Sequence, residues 1–159
     1  MNIAKTRATA FVAAVCLAAA SAMAAPAFAQ SPDSGFVTVK SANGYSATVS
    51  ALQHSIKSNG LMVMGKVDQK SILSMTGLHL AGAESFLVGN PRVGKKLFGM
   101  NPAVAAVIPA RISVWVSDGT TYVGYFKPSA QMGAISPKLA KPGEMLDMKF
   151  HKIVEDATK

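Results

Sequence analysis

The sequence predicts an α+β fold, a two-layer sandwich in which a mixed, mostly antiparallel sheet carries helices on one face. Three observations carry that expectation. Strand-like and helix-like stretches follow one another as strand, helix, strand, helix, strand, short helices, strand, strand, helix. Asp118-Gly119 separates two apolar runs, the strongest short-range hairpin signal there is, because both positions tolerate positive φ. Near the C-terminus, Leu146, Phe150, Ile153 and Val154 recur at helical spacing and form a stripe that needs a partner surface.

The elements are justified in order. Lys5 and Arg7 precede an apolar run over residues 8–20, too short for the roughly 20 residues a membrane-spanning helix needs. Small residues follow and end in Ala27-Phe28-Ala29, an A-x-A cleavage pattern. Residues 1–29 are therefore expected to be a cleavable signal peptide and the mature chain periplasmic, beginning at Gln30. Residues 30–35 are a polar lead, expected to be mobile. Residues 36–40 alternate as a first strand. Ser46 is a candidate helix cap, Val49, Leu52 and Ile56 share a helical stripe, and Asn59-Gly60 supplies a left-handed stop. Residues 61–67 read as the second strand. Asp68 caps a short helix closed by Gly77. Residues 86–88 are the third strand. Residues 110–117 and 120–127 form the hairpin, ended by Pro128. Residues 36–128 make one α+β domain. Residues 129–159 make an irregular segment, over 131–142, followed by the amphipathic helix of 144–155.

Composition narrows the function classes. The 159 residues carry a formal charge of +8, which falls to +6 once Lys5 and Arg7 leave with the leader. The single cysteine, Cys16, leaves too, so the mature chain is expected to have neither disulfide nor thiol chemistry. The excess of lysine suits solubility, a small anion or an anionic envelope surface better than nucleic acid. Residues 30–159 hold no second apolar run long enough for a membrane span.

Asp68, Gly77-Leu78, Phe86-Leu87-Val88-Gly89-Asn90-Pro91, Gly94, Pro102, Pro109 and the hairpin between Val114 and Tyr125 together resemble the family called domain of unknown function 302, over roughly residues 36–128. The resemblance implies a compact α+β domain like the two-layer fold of the TATA-binding protein, and a tendency to self-associate. It implies no activity. Gln69 stands where the family often has His, and Lys95 where it often has Thr.

Candidate chemistry is sparse. Gly89-Asn90-Pro91-Arg92-Val93-Gly94-Lys95-Lys96 nearly spells a phosphate-binding loop between strand and helix. Lys96 replaces the magnesium-binding hydroxyl, and Pro91 removes a backbone N–H the loop would need. Asn90, Arg92, Lys95 and Lys96 remain a candidate anion or ligand turn at a helix start. The alternative is a purely structural turn, in which Asn90 makes an Asx-turn and Gly94 allows tight packing. Met62 and Met64, two apart on a strand, and Met145, Met148 and His151, three apart on the last helix, are weak soft-metal candidates for Cu(I). Core filling explains Met62 and Met64 better, since Leu61 and Val63 alternate with them. No cofactor is expected. His54, His79 and His151 lack zinc spacing, and no G-x-S-x-G nucleophile motif occurs.

The hairpin register supplies the last candidate. It pairs Trp115 with Tyr122 and places Ile112, Val114, Val116, Val123 and Tyr125 on the helix-covered face. Arg111, Ser113, Trp115, Tyr122, Gly124 and Phe126 share the other face. Arg111, Trp115, Tyr122 and Phe126 are thus a candidate ligand or homodimer face, unless the C-terminal helix folds over them. The expected function is an exported, non-catalytic binding or interaction module that self-associates. A periplasmic copper carrier or an enzyme of unrecognised type is the alternative.

Overall fold

A computed structural model describes residues 35–159. The expected signal peptide and most of the lead lie outside the described residues. Along the chain run β1 (Phe36–Lys40), α1 (Tyr45–Ser58), β2 (Met62–Asp68), α2 (Gln69–Ser74), β3 (Ala83–Gly89), α3 (Pro91–Met100), a 3-10 turn (Pro102–Ala106), β4 (Ala110–Ser117), β5 (Thr120–Phe126), α4 (Pro128–Ile135) and α5 (Pro137–Thr158).

The five strands form one sheet in the order β1-β5-β4-β3-β2, every pairing antiparallel. The fold is the α+β sandwich that the sequence predicts. The sheet is wholly antiparallel, not mixed, because α1 carries the chain from one edge strand, β1, to the other, β2, and these never pair.

Local chemistry explains the boundaries. α1 starts at Tyr45 with Gly44 as its cap residue, so Ser46 lies inside the first turn instead of capping it. No side chain caps this start; inside the helix the Thr48 hydroxyl donates to the Gly44 carbonyl at 3.0 Å and meets Ser41 Oγ at 2.7 Å. α1 stops where Gly60 turns left-handed at φ 73° and the Leu61 amide reaches back to the Ile56 carbonyl at 3.1 Å. Asp68 caps α2, accepting from the Ser71 amide at 3.0 Å and the Ser71 hydroxyl at 2.7 Å. In the β4–β5 hairpin, Asp118 (φ 49°) and Gly119 (φ 72°) both take positive φ, as the two-residue turn requires. The register follows, pairing Trp115 with Tyr122 and Val114 with Val123.

The main core lies between α1, α5 and one sheet face. Leu52 and Ile56 of α1 and Phe150, Ile153, Val154 and Ala157 of α5 close over Phe86, Val88, Ile112, Val114, Val123 and Tyr125. Burial of each such side chain contributes on the order of 1.5–3 kcal/mol. A second cluster joins Leu97, Val104, Met132 and Leu139 at one end of the molecule.

The C-terminal segment departs from expectation. The segment expected to be irregular is helical, and α5 runs from Pro137 to Thr158 with Pro142 inside it. Pro128 and Pro137 stand at the first helical positions, where a missing N–H costs nothing because no acceptor awaits it. These prolines therefore start helices rather than end them. Gly143 lets α5 cross α4 closely, since a Cβ there would collide with the Ser129 backbone. Asp147 of α5 secures the start of α4, accepting from the Ser129 amide at 3.0 Å and bonding its hydroxyl as well. α5 supplies four buried residues of the main core, Phe150, Ile153, Val154 and Ala157, so the amphipathic helix packs on the same core as the strands.

Candidate functional site

The sheet face opposite α1 and α5 is the first candidate. α5 spends its apolar stripe on the other side, so it does not cover Trp115. The indole of Trp115 stacks on Tyr122, centroids 5.8 Å apart and planes 20° apart, and on Phe36 at 6.4 Å and 25°. Phe36 in turn meets Phe126 at 5.0 Å. Four aromatic rings thus form one row across β4, β5 and β1. Phe126 is 48% exposed at its end. Sequence reasoning missed Phe36, because only the pairing of β1 with β5, Phe36 opposite Phe126, brings it there. Arg111 lies on the same face, opposite Leu87, and lines a recess of about 450 Å³ with Phe126, Val107 and Gln131.

The middle of that face is polar. Ser85 and Ser113 pair across strands with their hydroxyls 2.8 Å apart, and Gln69 Nε2 donates to Ser85 Oγ at 2.6 Å. Ser85 is buried, and Gln69 Oε1 is buried with no hydrogen-bond partner among the described residues. Gln69 is therefore built into the face.

The Gly89-Asn90-Pro91 turn is the second candidate. Asn90 Oδ1 accepts from the amides of Arg92 at 2.9 Å and Val93 at 3.4 Å, while its Nδ2 donates to the Gly60 carbonyl at 2.9 Å. The amides that would hold an anion at this helix start are already taken. The cations diverge as well. Lys95 lines an adjoining cavity, whereas Arg92 and Lys96, four apart on an exposed side of α3, do not. Gly94 is not packed tightly as expected: a Cβ there would meet nothing within 4 Å, and its φ is not positive.

That cavity has a volume of about 240 Å³. Leu61, Val88, Leu97 and Phe150 wall its buried part, and Met64, Lys95 and Phe98 stand at its exposed lip. It is assembled from β2, β3, α3, the Ile108-Pro109 entry to β4, and α5. α3 hangs over it, burying Leu97.

The methionines depart from the core role expected of them. Met62 and Met64 are 51% and 54% exposed, and Met145 and Met148 are 62% and 68% exposed. A bulge between Val63 and Gly65 breaks the strand alternation at Met64, so Met62 and Met64 do not occupy equivalent places on one face. His151 is exposed. Among the described residues no group of three His, Cys, Asp or Glu side chains is placed to hold a metal.

A partly exposed ion pair lies elsewhere. Glu84, its side chain 15% exposed, pairs with Lys66 at 3.2 Å. Nearby, Tyr45 packs over Gly82, whose Cβ would come within 2.5 Å of the ring. Burial first, then the charges of Glu84 and Asp68, push the Tyr45 phenol up to about 12. Neither of the two cavities described here is lined by Tyr45, Lys66 or Glu84.

Comparison with known proteins agrees with the architecture. The family model described as Domain of unknown function DUF302 matches residues 37–157, through nearly all of α5. The crystal structure of a conserved DUF302 protein from Bacillus stearothermophilus superposes with a TM-score of 0.73 at 22% identity, covering 77% of this chain and 98% of that one. A fluoride-specific ion channel, FluC 1, of Brucella suis biovar 1 (strain 1330) is 32% identical over 95 residues. FluC 1 of Brucella abortus biovar 1 (strain 9-941) matches to the same extent. The matched stretch is 60% of this chain but only 37% and 35% of those two channel proteins. None of the described helices here is long and apolar enough to cross a membrane.

Proposed function

We propose that this chain, which belongs to the family described as domain of unknown function DUF302, is an exported, non-catalytic binding module that works as a homodimer. The observation that carries the reading is the uncovered aromatic row Phe126–Phe36–Trp115–Tyr122 beside Arg111. Large aromatics and arginine are enriched at interfaces; here Phe126 is exposed and Phe36, Trp115 and Tyr122 are half-buried beside it, an apolar strip that a partner could cover. A two-fold contact would lay the row against its own copy and remove it from water. Export rests on Lys5, Arg7, the apolar run and Ala27-Phe28-Ala29.

The Brucella proteins are named fluoride-specific ion channels, and this chain spans about a third of their length. We assign this chain no channel activity on that likeness. A soft-metal role keeps one supporting observation, the exposure of the thioethers of Met62, Met64, Met145 and Met148. Cu(I) titration of the mature protein, with Met62→Leu and Met145→Leu as controls, tests it.

Sedimentation equilibrium with dilution-dependent tryptophan emission tests the main reading, because the described residues contain a single Trp. Trp115→Ala is expected to weaken self-association by about 2 kcal/mol or more while circular dichroism keeps its folded form. A wild-type protein that stays monomeric at all concentrations overturns the dimer, and a Trp115→Ala protein that unfolds makes the indole core.

A further inference from the structure

We propose that the cavity beside the Gly89-Asn90-Pro91 turn is the ligand site of this module, and that it takes a linear amphiphile: an aliphatic chain ending in a single carboxylate-type anion. This deepens the binding-module reading and rests on it, but not on the homodimer. The cavity opens on the helix side of the sheet and the aromatic row on the other.

Size comes first. At about 240 Å³ the cavity exceeds the ~150 Å³ apolar cavity that suffices to hold benzene, and approaches the lower end of ordinary ligand pockets at ~300 Å³. Its buried walls, Leu61, Val88, Leu97 and Phe150, offer no polar side chain, so the buried part of the ligand must be hydrocarbon. The lip is different. Lys95 stands there, exposed, and no Asp or Glu lines the cavity among the described residues. An anion at the lip therefore meets one cation and no competing acid.

The charge of the head follows from what is already used. A phosphate would seek backbone amides at the helix start. Asn90 Oδ1 has taken those of Arg92 and Val93, and Pro91 has none. One lysine without free amides matches a single negative charge. Met64 and Phe98, 54% and 45% exposed, extend the apolar lip past Lys95 and would cover the first carbons below the head.

Gly94 keeps the site open. It sits inside α3, where glycine weakens a helix, and it neither takes positive φ nor makes way for a neighbour. It does line the cavity. A bare Cα there leaves the space below α3 unfilled.

The test is calorimetric titration of the mature chain with hexanoate, octanoate and decanoate below their micelle concentrations. Each added methylene is expected to tighten binding about fourfold, the equivalent of the ~0.8 kcal/mol of burying one CH₂, until the cavity is full. Lys95→Gln should weaken decanoate about threefold, as an exposed ion pair does, and leave 1-decanol unchanged. Gly94→Leu should abolish binding of both. Amide NMR of the unaltered chain provides a check without mutation, with decanoate shifts expected over residues 93–98 and at Leu146. Absence of saturable decanoate binding, indifference to chain length, or shifts at Trp115 and Tyr122 in place of α3 would each overturn the cavity site. In the last case the module still binds, on its other face. A wild-type chain that stays monomeric, with decanoate binding intact, removes the dimer and leaves the cavity site standing.

Discussion

The indole of Trp115 lies where a side chain of Gly124 would be. A Cβ on Gly124 would come within 2.7 Å of Cη2 and 2.9 Å of Cζ3 of the indole, and 3.0 Å of the Val37 carbonyl on the neighbouring strand. The glycine that weakens the middle of β5 is what allows the ring to lie flat between Tyr122 and Phe36. Gly124→Val should therefore displace the indole and cost about 1–3 kcal/mol through overpacking. Urea denaturation followed by tryptophan emission reads both effects together. A variant with unchanged midpoint and unchanged emission would mean that the ring does not rest on Gly124.

Gly94 should behave in the opposite way. Its Cβ position is empty and its backbone is helical, so Gly94→Ala should raise stability by about 0.5–1 kcal/mol. Thermal unfolding measures this. A loss of stability of that size would restore the tight packing that the sequence alone suggests for this position.

The α4–α5 crossing should be sensitive at Asp147 and Gly143. Asp147→Ala removes the acceptor for the Ser129 amide at the start of α4, a helix whose own cap residue, Lys127, offers no side-chain bond. A loss of about 1 kcal/mol is expected. Asp147→Asn keeps an acceptor and should lose less. Gly143→Ala forces the Ser129 backbone to move and should cost about 1–3 kcal/mol. Equal midpoints for wild type and Gly143→Ala in guanidinium would mean that the two helices do not approach so closely.

Tyr45 gives a pH dependence with a defined sign. Its folded-state pKa of about 12 lies above the ordinary value of 10.0, so the folded protein favours the protonated phenol. The resulting stabilisation is fully present below pH 10 and is lost as pH rises from there through about 12. Tyr125 is raised as well, by burial first and then by Asp147. Spectrophotometric titration of the phenolates should show Tyr45→Phe removing a late step and flattening the alkaline fall in stability. If Tyr45→Phe leaves the alkaline limb unchanged, the phenol is not held protonated by its surroundings.

How much of this was legible in the sequence depended on the range of each interaction. Asp118-Gly119 dictates its turn within two residues, and the two faces of the hairpin follow by alternation. The caps at Asp68 and Asn90 are equally local. The helical nature of residues 128–142 was hidden because prolines carry opposite meanings at a helix start and inside one. The exposure of Met62 and Met64 was hidden because β2 is an edge strand with a bulge. Phe36 belongs to the aromatic row only through a pairing some 90 residues distant in sequence, Phe36 with Phe126. The cavity gathers residues from Leu61 to Phe150, and no window of sequence contains that set.

The position of α5 also makes it the latch of the fold. Phe150, Ile153, Val154 and Ala157 roof the main core. Ala42 and Asn43, just after β1, reach to the same helix, the Ala42 amide to the Thr158 carbonyl at 2.8 Å and Asn43 Nδ2 to the Lys159 carbonyl at 2.6 Å. Lifting α5 therefore breaks these ties and bares Phe86, Ile112, Val114 and Val123 together. An opened sheet with that apolar face in water is the species from which such a fold would aggregate.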